Sequence, residues 1–317
     1  MSKMASALTI VIASAGRPSL LRRTLESLAA CNFPTIYRGT VIVENGPKAG
    51  AEEVVRSFSA GLNAQYVYTK HGNKCRALNM ALEQVGDSLI VFSDNDIRIH
   101  PDTLCAYASA SAGIDGGQFY GGPTGVDYDV RPPIWLNPYL PPSALGWHLD
   151  SNKQAIEKPC FLGFNWAAFA KDIRDAGGFD TNLGPGAAFG SDMGDETEMQ
   201  ARLLSNHVKG MYVPEAMVWH YVPVERCSPR WAIRRIYRYG IGSGMLYRDQ
   251  VPTIFGFSRW MVREWLRRGF EVLRTSVSSN AHTRFDAYYN FRYFCGKMRG
   301  ARITRVNSSH SVGKASL

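Results

Sequence analysis

Between residues 8 and 93 the chain alternates, at short intervals, apolar strand-like runs with amphipathic helical segments, and few architectures accept that pattern. Leu8 to Ala13 (LTIVIA) has the β-branched content of a short buried strand. SAGRPSLLRRTLESLAA then turns into a helix, with Pro18 suited to its first turn and Leu21, Leu25 and Leu28 on one face. Thr40 to Val43 is a second strand, ending at Glu44-Asn45-Gly46. A helix around Glu52 to Phe58 follows, then a strand from Gln65 to Thr69. The segment Lys74 to Val85 carries Leu78, Leu82 and Val85 at helical spacing and leads into a strand at Leu89 to Ser93. This order predicts an α/β domain on a parallel, doubly wound sheet.

The last of these strands runs directly into Asp94-Asn95-Asp96. In extended backbone, side chains at i and i+2 point the same way, so both carboxylates can face one point at the strand's carboxyl end. That is where open α/β sheets bind ligands. Two like charges held together call for a cation, and hard oxygen ligands suit Mg²⁺ or Mn²⁺ bridging to phosphate. Asp and Asn also favour turns and helix caps, so the triplet alone reads equally as a solvated loop. The turn after the first strand, SAGRPS, has no GxGxxG fingerprint, and no GxxxxGK[ST] occurs either. A nucleotide on this sheet is therefore expected to be held by carboxylates and metal.

From Gly121 to Pro159 periodicity is lost and seven prolines occur together with Trp135, Tyr139 and Trp147. A long irregular stretch rich in aromatics inside a domain reads as a substrate-side loop. Phe161 to Phe169 resumes the apolar pattern, and Lys171 to Phe179 reads as a short helix ending at Gly177-Gly178. GPGAAFGSDMGDETEMQARLLSNH reads as a glycine-rich loop opening a helix at about Asp195. Acidic residues are common in a first turn on dipole grounds alone. One turn cannot aim Asp195, Glu196 and Glu198 the same way: Glu196, Gln200 and Leu203 share a face, while Glu198 is placed to pair with Arg202. A final strand, Gly210 to Tyr221, sets His220 near its end. A lone histidine is more often a satisfied core or surface residue than a ligand.

Taken together, LTIVIASAGRPSLLRRTLESL, VIVENG, HGNKCRALNMAL, VFSDND, FLGFNWAAF, GGFDTNLGPG, GDETEMQARL and PEAMVWH resemble, in this order, an inverting family 2 glycosyltransferase of the GT-A fold. The resemblance runs from about Leu8 to about Tyr247. It implies a Rossmann-like, mostly parallel sheet flanked by helices, and a nucleoside diphosphate sugar donor, UDP- or GDP-linked, with Mn²⁺ or Mg²⁺. By this resemblance Ala13 and Ser14 meet the nucleoside, Glu44 falls where the family places an aspartate on the base, and Lys74 borders the nucleotide. Asp94 lies on the ribose side, and Arg17 and Asn95 complete the nucleotide-binding set. Asp96 takes the metal, with His220 where some members place a further metal ligand. Glu196 aligns with the second acid of the pair that contains the catalytic base. The chain departs from the family in having Ala13 for Pro, Glu44 for Asp, and Asp195-Glu196 for Glu-Asp, so Asp195 stays beside Glu196 as a candidate base.

The chemistry gives these groups work. Transfer from a nucleoside diphosphate sugar must stabilise a departing diphosphate, which a cation at Asp96 would do as a Lewis acid. The acceptor hydroxyl needs a carboxylate within hydrogen-bond reach, a contribution of ~10² to 10⁴ in rate. The alternatives are a non-catalytic sugar-nucleotide-binding scaffold, suggested by the altered acids, and a nucleotidyltransferase, weakened by the missing glycine- and arginine-containing loop after the first strand.

Charge divides the chain. From Arg226 onward there are 18 Lys and Arg against 4 Asp and Glu, whereas residues 1–225 hold 18 against 23. The expected organisation is a catalytic domain over 1–225 with an acceptor-side loop at 121–160, a basic, aromatic-rich helical extension over 226–300, and a disordered tail over 301–317. The segment Arg226 to Arg248 reads as a helix broken at Gly240, Gly242 and Gly244. SRWMVREWLRRGFEVLR, from Ser258, reads as a basic amphipathic helix suited either to an anionic membrane surface or to packing on the domain. No recognised motif supports nucleic acid as a partner; the acceptor is expected to be a glycan, a lipid-linked saccharide or a small molecule. Met1 to Leu8 lacks a signal peptide's apolar run, no run approaches ~18 apolar residues, and the six cysteines form no CxxC pair. A reduced, cytoplasmic protein, peripheral on the inner face of the membrane, is the corresponding expectation.

Overall fold

The computed structural model describes residues 7–150, 155–187, 194–245, 253–254 and 256–312. The chain divides into two compact units. The first takes the chain up to Asp129 together with Pro141–Pro185 and Gly194–Pro223. The second takes Val130–Leu140, Gly186 and Ala187, and the described residues from Val224 onward.

The first unit opens with β1 (Ala7–Ser14), α1 (Pro18–Ala29), β2 (Tyr37–Asn45), α2 (Ala51–Leu62), β3 (Ala64–Thr69), α3 (Lys74–Gln84) and β4 (Ser88–Asp94). It continues with β5 (Ile97–Ile99), α4 (Thr103–Ala110), β6 (Gln118–Gly121), β7 (Thr124–Tyr128), α5 (Pro142–Leu145), β8 (Ala155–Ile156), β9 (Trp166–Phe169), α6 (Ala170–Asp175), α7 (Asp195–Ser205), β10 (Lys209–Tyr212) and β11 (Val218–Val222). Eight strands form one sheet in the order β3-β2-β1-β4-β9-β6-β10-β8. β1 to β4 are mutually parallel, β9 runs antiparallel between β4 and β6, and β10 pairs parallel with β6. β1 lies at the centre of the parallel half, which is why it reads as an unbroken apolar run. Its Leu8, Ile10 and Ile12 pack with Leu21, Leu25 and Leu28 of α1 and Val54 and Val55 of α2. Val11 and Ala13, pointing the other way, pack with Leu78 and Leu82 of α3, Phe92, Trp166, and Met199 and Leu203 of α7.

Two sequence expectations about this part of the chain need correction. The single strand expected over Gly210–Tyr221 is two strands, because Pro214 opens a turn closed by the Ala216 amide on the Val213 carbonyl. β10 joins the large sheet, while β11 leaves it to form a second sheet, β5-β11-β7. The stretch 121–160 is not one loop either: it contains β7, α5 and β8, and residues 130–140 belong to the second unit. There a 3₁₀ turn over Ile134–Tyr139 brings Tyr139 against Phe285 and Tyr289, with ring centroids 4.8 and 4.9 Å apart.

The second unit also contains α8 (Pro229–Met245), a short hairpin of β12 (Thr253–Ile254) and β13 (Phe257–Ser258), α9 (Arg259–Ser276) and α10 (Ala281–Val312). α8 runs unbroken through the three glycines expected to interrupt it. The reason is contact with α10: a Cβ on Gly240 would lie 2.1 Å from the Tyr293 carbonyl oxygen, and one on Gly244 2.0 Å from that of Lys297. Gly296 and Gly300 of α10 meet the carbonyls of Tyr237 and Ile241 as closely, so two glycine pairs at i, i+4 bring the helix backbones together. Helix also extends into the tail expected to be disordered: α10 continues to Val312, since extending a packed helix is far easier than starting one. Residues 313–317 lie outside the described residues. No helix among the described residues is long and apolar enough to cross a membrane.

Candidate active site

The carboxyl ends of β1, β2 and β4 lie side by side, with Ala13 opposite Val43 and Asp94, and Ser14 opposite Glu44. The turn after β1 is possible because Gly16 takes a left-handed φ of 64°. It sends Arg17 back to the DND triplet. Arg17 Nη1 donates to Asp96 Oδ2 at 2.6 Å and Nη2 to Asn95 Oδ1 at 2.7 Å. The buried Asn95 amide donates to Ser14 Oγ at 2.9 Å, and Asn45 donates to the Ser14 carbonyl at 3.0 Å. Asn95 thus ties the two strand ends together.

Glu44 is buried and already served by the protein: its Oε1 accepts from the Ala49 amide at 2.8 Å and its Oε2 from the Tyr66 hydroxyl at 2.5 Å. Its carboxylate braces the turn that follows β2.

Lys74, at the start of α3, links two other elements. Its Nζ lies 2.8 Å from Asp94 Oδ1 and 3.8 Å from Asp195 Oδ2. Burial alone would lower the pKa of this amine, but Asp94, Asp195 and Glu196 together raise it well above the usual lysine range. Burial pushes Asp94 the opposite way, toward protonation, and the Lys74 ammonium more than compensates, holding its carboxyl below the usual range. The Lys74 amide donates to the Pro185 carbonyl at 3.0 Å, which fixes the start of the glycine-rich loop to α3. Residues 188–193 of that loop lie outside the described residues.

Asp195 and Glu196 open α7 behind a left-handed Gly194. Asp195 is seated against Gly184, where a Cβ would come within 2.9 Å of its carboxyl carbon, and Glu196 lies over Gly163, where a Cβ would be 3.3 Å from its carboxyl carbon. One turn on, Gln200 accepts from the Cys160 and Phe161 amides, both at 3.2 Å, and donates to the Phe161 carbonyl at 2.9 Å. That clamp holds the segment 160–163 against the helix face carrying Glu196. Glu198 instead forms the expected pair with Arg202, at 2.5 and 2.7 Å. Enclosure by protein, and then the neighbouring Asp195 carboxylate, push Glu196 up to about 8. Lys74 pulls against this without overcoming it.

His220 arrives from β11, whose Tyr221 amide donates to the Asp96 carbonyl at 2.8 Å. Its Nδ1 lies 2.7 Å from the Ser143 carbonyl, which can only accept, so Nδ1 carries a proton. Its Nε2 lies 3.6 Å from Asp96 Oδ1, too long for a direct hydrogen bond. The ring stacks on Phe164 at 4.7 Å and 16°. A backbone acceptor on Nδ1 with Nε2 facing a carboxylate is the outer-shell arrangement of a metal-ligating histidine. Among the described residues no three His, Cys, Asp or Glu side chains are placed to hold one metal ion together, so a cation here would take Asp96 and His220 and fill its remaining positions from phosphate and water. On that donor chemistry the pair fits a divalent ion.

Ser143, Phe164, Gly163 and Tyr66 escaped sequence reasoning. Phe164 and Gly163 lie in FLGFNW, an apolar motif that reads as core, and a backbone carbonyl such as that of Ser143 leaves no mark in sequence.

Residues 5–119 match the profile of a family described as glycosyltransferase like family 2. The succinoglycan biosynthesis protein ExoM of Rhizobium meliloti is 28% identical over 249 residues, covering 74% of this chain and 73% of its own length. The chondroitin synthase of Escherichia coli is 36% identical over 103 residues, of which the match spans only 15% of that protein. Among solved structures, the mannosyltransferase PcManGT of Pyrobaculum calidifontis, in complex with GDP-Man and Mn²⁺, superimposes with a TM-score of 0.57 at 15% identity, over 96% of this chain and 89% of its own. S. aureus TarS 1-349 in complex with UDP-GlcNAc gives 0.52 at 12% identity, over 95% and 92%. At these identities the structural likeness establishes the fold.

Proposed function

The chain belongs to the family 2 glycosyltransferases and has the GT-A fold, and from that premise we propose that it moves one sugar, with inversion, from a nucleoside diphosphate sugar to a hydroxyl of a growing glycan or lipid-linked saccharide. Being a glycosyltransferase, it is not the non-catalytic scaffold that its altered acids suggested. The observation carrying the mechanistic part is the convergence of Asp96, His220, Asp94, Lys74, Asp195 and Glu196 at one edge of the sheet.

In this reading Asp96 and His220 would hold a divalent cation, Mn²⁺ or Mg²⁺, while Arg17 keeps Asp96 Oδ2 in place. Such a cation, when bound, would supply Lewis-acid stabilisation of the departing diphosphate. Ala13, Ser14 and Asn95 shape the nucleoside end of the site, and Asp94, oriented by Lys74, meets the ribose. Glu196 takes the proton of the acceptor hydroxyl as it attacks the anomeric carbon from the face opposite the leaving group. Asp195 lies against Gly184 and beside Lys74, which makes it the holder of that corner; Glu196, aligned over Gly163, is the base. Glu44 acts on the base of the donor only through the turn it braces.

The names of the bacterial relatives support a polysaccharide acceptor, and an acceptor on a lipid carrier would put the enzyme at an anionic membrane surface. The test is a panel of UDP- and GDP-sugars scored for thermal stabilisation with and without Mn²⁺, since a ligand that binds only the folded chain raises its melting temperature. One donor should stabilise the wild type in a Mn²⁺-dependent way and fail to do so in Asp96→Asn. A variant stabilised as strongly as the wild type would remove Asp96 from the metal site.

A further inference from the structure

Helix α9 buries one face and leaves another bare. On the covered side Met261 and Thr275 are buried, the Trp265 ring meets Phe291 at 6.0 Å, and Arg268 lies 5.4 Å over the Phe294 ring. On the other side Leu266, Phe270, Leu273 and Val277 follow one another at intervals of four, three and four residues. They are 58, 67, 71 and 89% exposed. That spacing aligns them in a single stripe about 16 Å long. Arg259 and Arg263 extend and flank the stripe, whereas Arg267 and Arg274 are paired with Glu264 and Glu271.

Four large apolar side chains in one exposed row are a binding surface rather than ordinary surface noise. A second copy is a poor occupant. Pairing two such stripes as a coiled coil would set Arg263 in the seam, with Arg267 and Arg274 beside it and only Gly269 and Ser276 at the positions that should offer them acids. An anionic bilayer meets both parts of the pattern: acyl chains take the apolar stripe, lipid phosphates take the arginines, and the half-exposed Trp260 and Trp265 suit the headgroup boundary. We propose that α9 lies in the plane of an anionic membrane surface, with Leu266, Phe270, Leu273 and Val277 entering it and Arg259 and Arg263 on the lipid headgroups. This deepens the peripheral placement proposed above by naming the face responsible, and it rests on that reading.

The experiment is co-sedimentation of the full chain with vesicles of phosphatidylcholine alone and of phosphatidylcholine mixed with phosphatidylglycerol, at low and high salt. The wild type should bind the mixed vesicles, less so as salt rises. L266Q/F270Q/L273Q should weaken that binding by about tenfold or more. Arg259→Gln with Arg263→Gln should weaken it about tenfold at low salt and flatten the salt dependence. Both variants should keep the Mn²⁺-dependent stabilisation by the donor sugar, which also reports that they fold; the single variants Phe270→Gln and Leu273→Gln serve if the triple does not. Equal binding to neutral and anionic vesicles, or a stripe variant that binds like the wild type, overturns the proposal. So does a wild-type dimer that Phe270→Gln dissociates, since a second copy would then be the occupant. A wild type that binds vesicles but no nucleotide sugar would sink the transferase mechanism and leave this surface standing.

Discussion

Replacing Glu196 by Gln should damage catalysis and stabilise the protein at the same time. The side chain keeps its size, and its amide can still donate to Asp195 as the protonated acid does. The wild-type carboxyl has been moved from the ordinary 4.5 up to about 8. A shift of that size, at about 1.36 kcal/mol per pKa unit, sets a ceiling near 5 kcal/mol on the cost of ionising Glu196 in the folded chain. Glu196 retains some solvent access, and local relaxation relieves part of the strain, so an effect of about 2 kcal/mol is the reasonable expectation. The sign follows from linkage. A raised carboxyl leaves stability intact below its unfolded pKa and erodes it as pH climbs toward 8. Glu196→Gln should therefore melt with the wild type near pH 4.5 and above it by about 4–8 °C at pH 9. Catalysis should move oppositely: kcat should fall by ~10² to 10⁴, and the acid limb near pH 8 expected of the wild type in kcat/KM should be absent from the variant. Thermal melts across pH, paired with donor turnover, measure both. A variant within threefold of wild-type kcat, or one that melts below the wild type at pH 9, would refute Glu196 as the enclosed base.

Two further perturbations probe the frame around the site. Lys74→Met strips the partner from Asp94 and Asp195 and should cost about 3 kcal/mol near neutral pH in a chemical denaturation curve. Because Lys74 holds Asp94 below its ordinary range, that loss should shrink only as pH falls through the depressed pKa of Asp94, beneath the ordinary carboxylate range, where its carboxyl is protonated in both variants. In the second unit, Gly244→Leu would drive a side chain into the Lys297 carbonyl 2.0 Å from its Cβ position, and should lower stability by about 1–3 kcal/mol while leaving donor binding to the first unit intact. Unchanged melting would mean that α8 and α10 do not meet at those glycines.

Local chemistry determined much of this protein by sequence alone. β1, β2 and β4 were legible because strands buried on both faces must be apolar over most of their length, and α1 and α3 because one face of each must cover them. The Asp94-Asn95-Asp96 triplet announced itself because charge at the end of a buried strand is anomalous. The pairing of Glu198 with Arg202 followed from helical spacing, which also separated Glu198 from Glu196. Tertiary structure decided what depends on elements distant in the chain. Only the fold shows that Arg17 and His220 share Asp96, that Glu44 is occupied by Ala49 and Tyr66, and that the Ser143 carbonyl fixes the protonation of His220. The same holds for the glycines of α8: in sequence they weaken a helix, and only the approach of α10, with no room for a Cβ, turns that weakness into the contact that keeps the helix whole. Propensity is a property of neighbours along the chain, whereas the partner that satisfies a buried charge or fills a missing side chain's space is found across it.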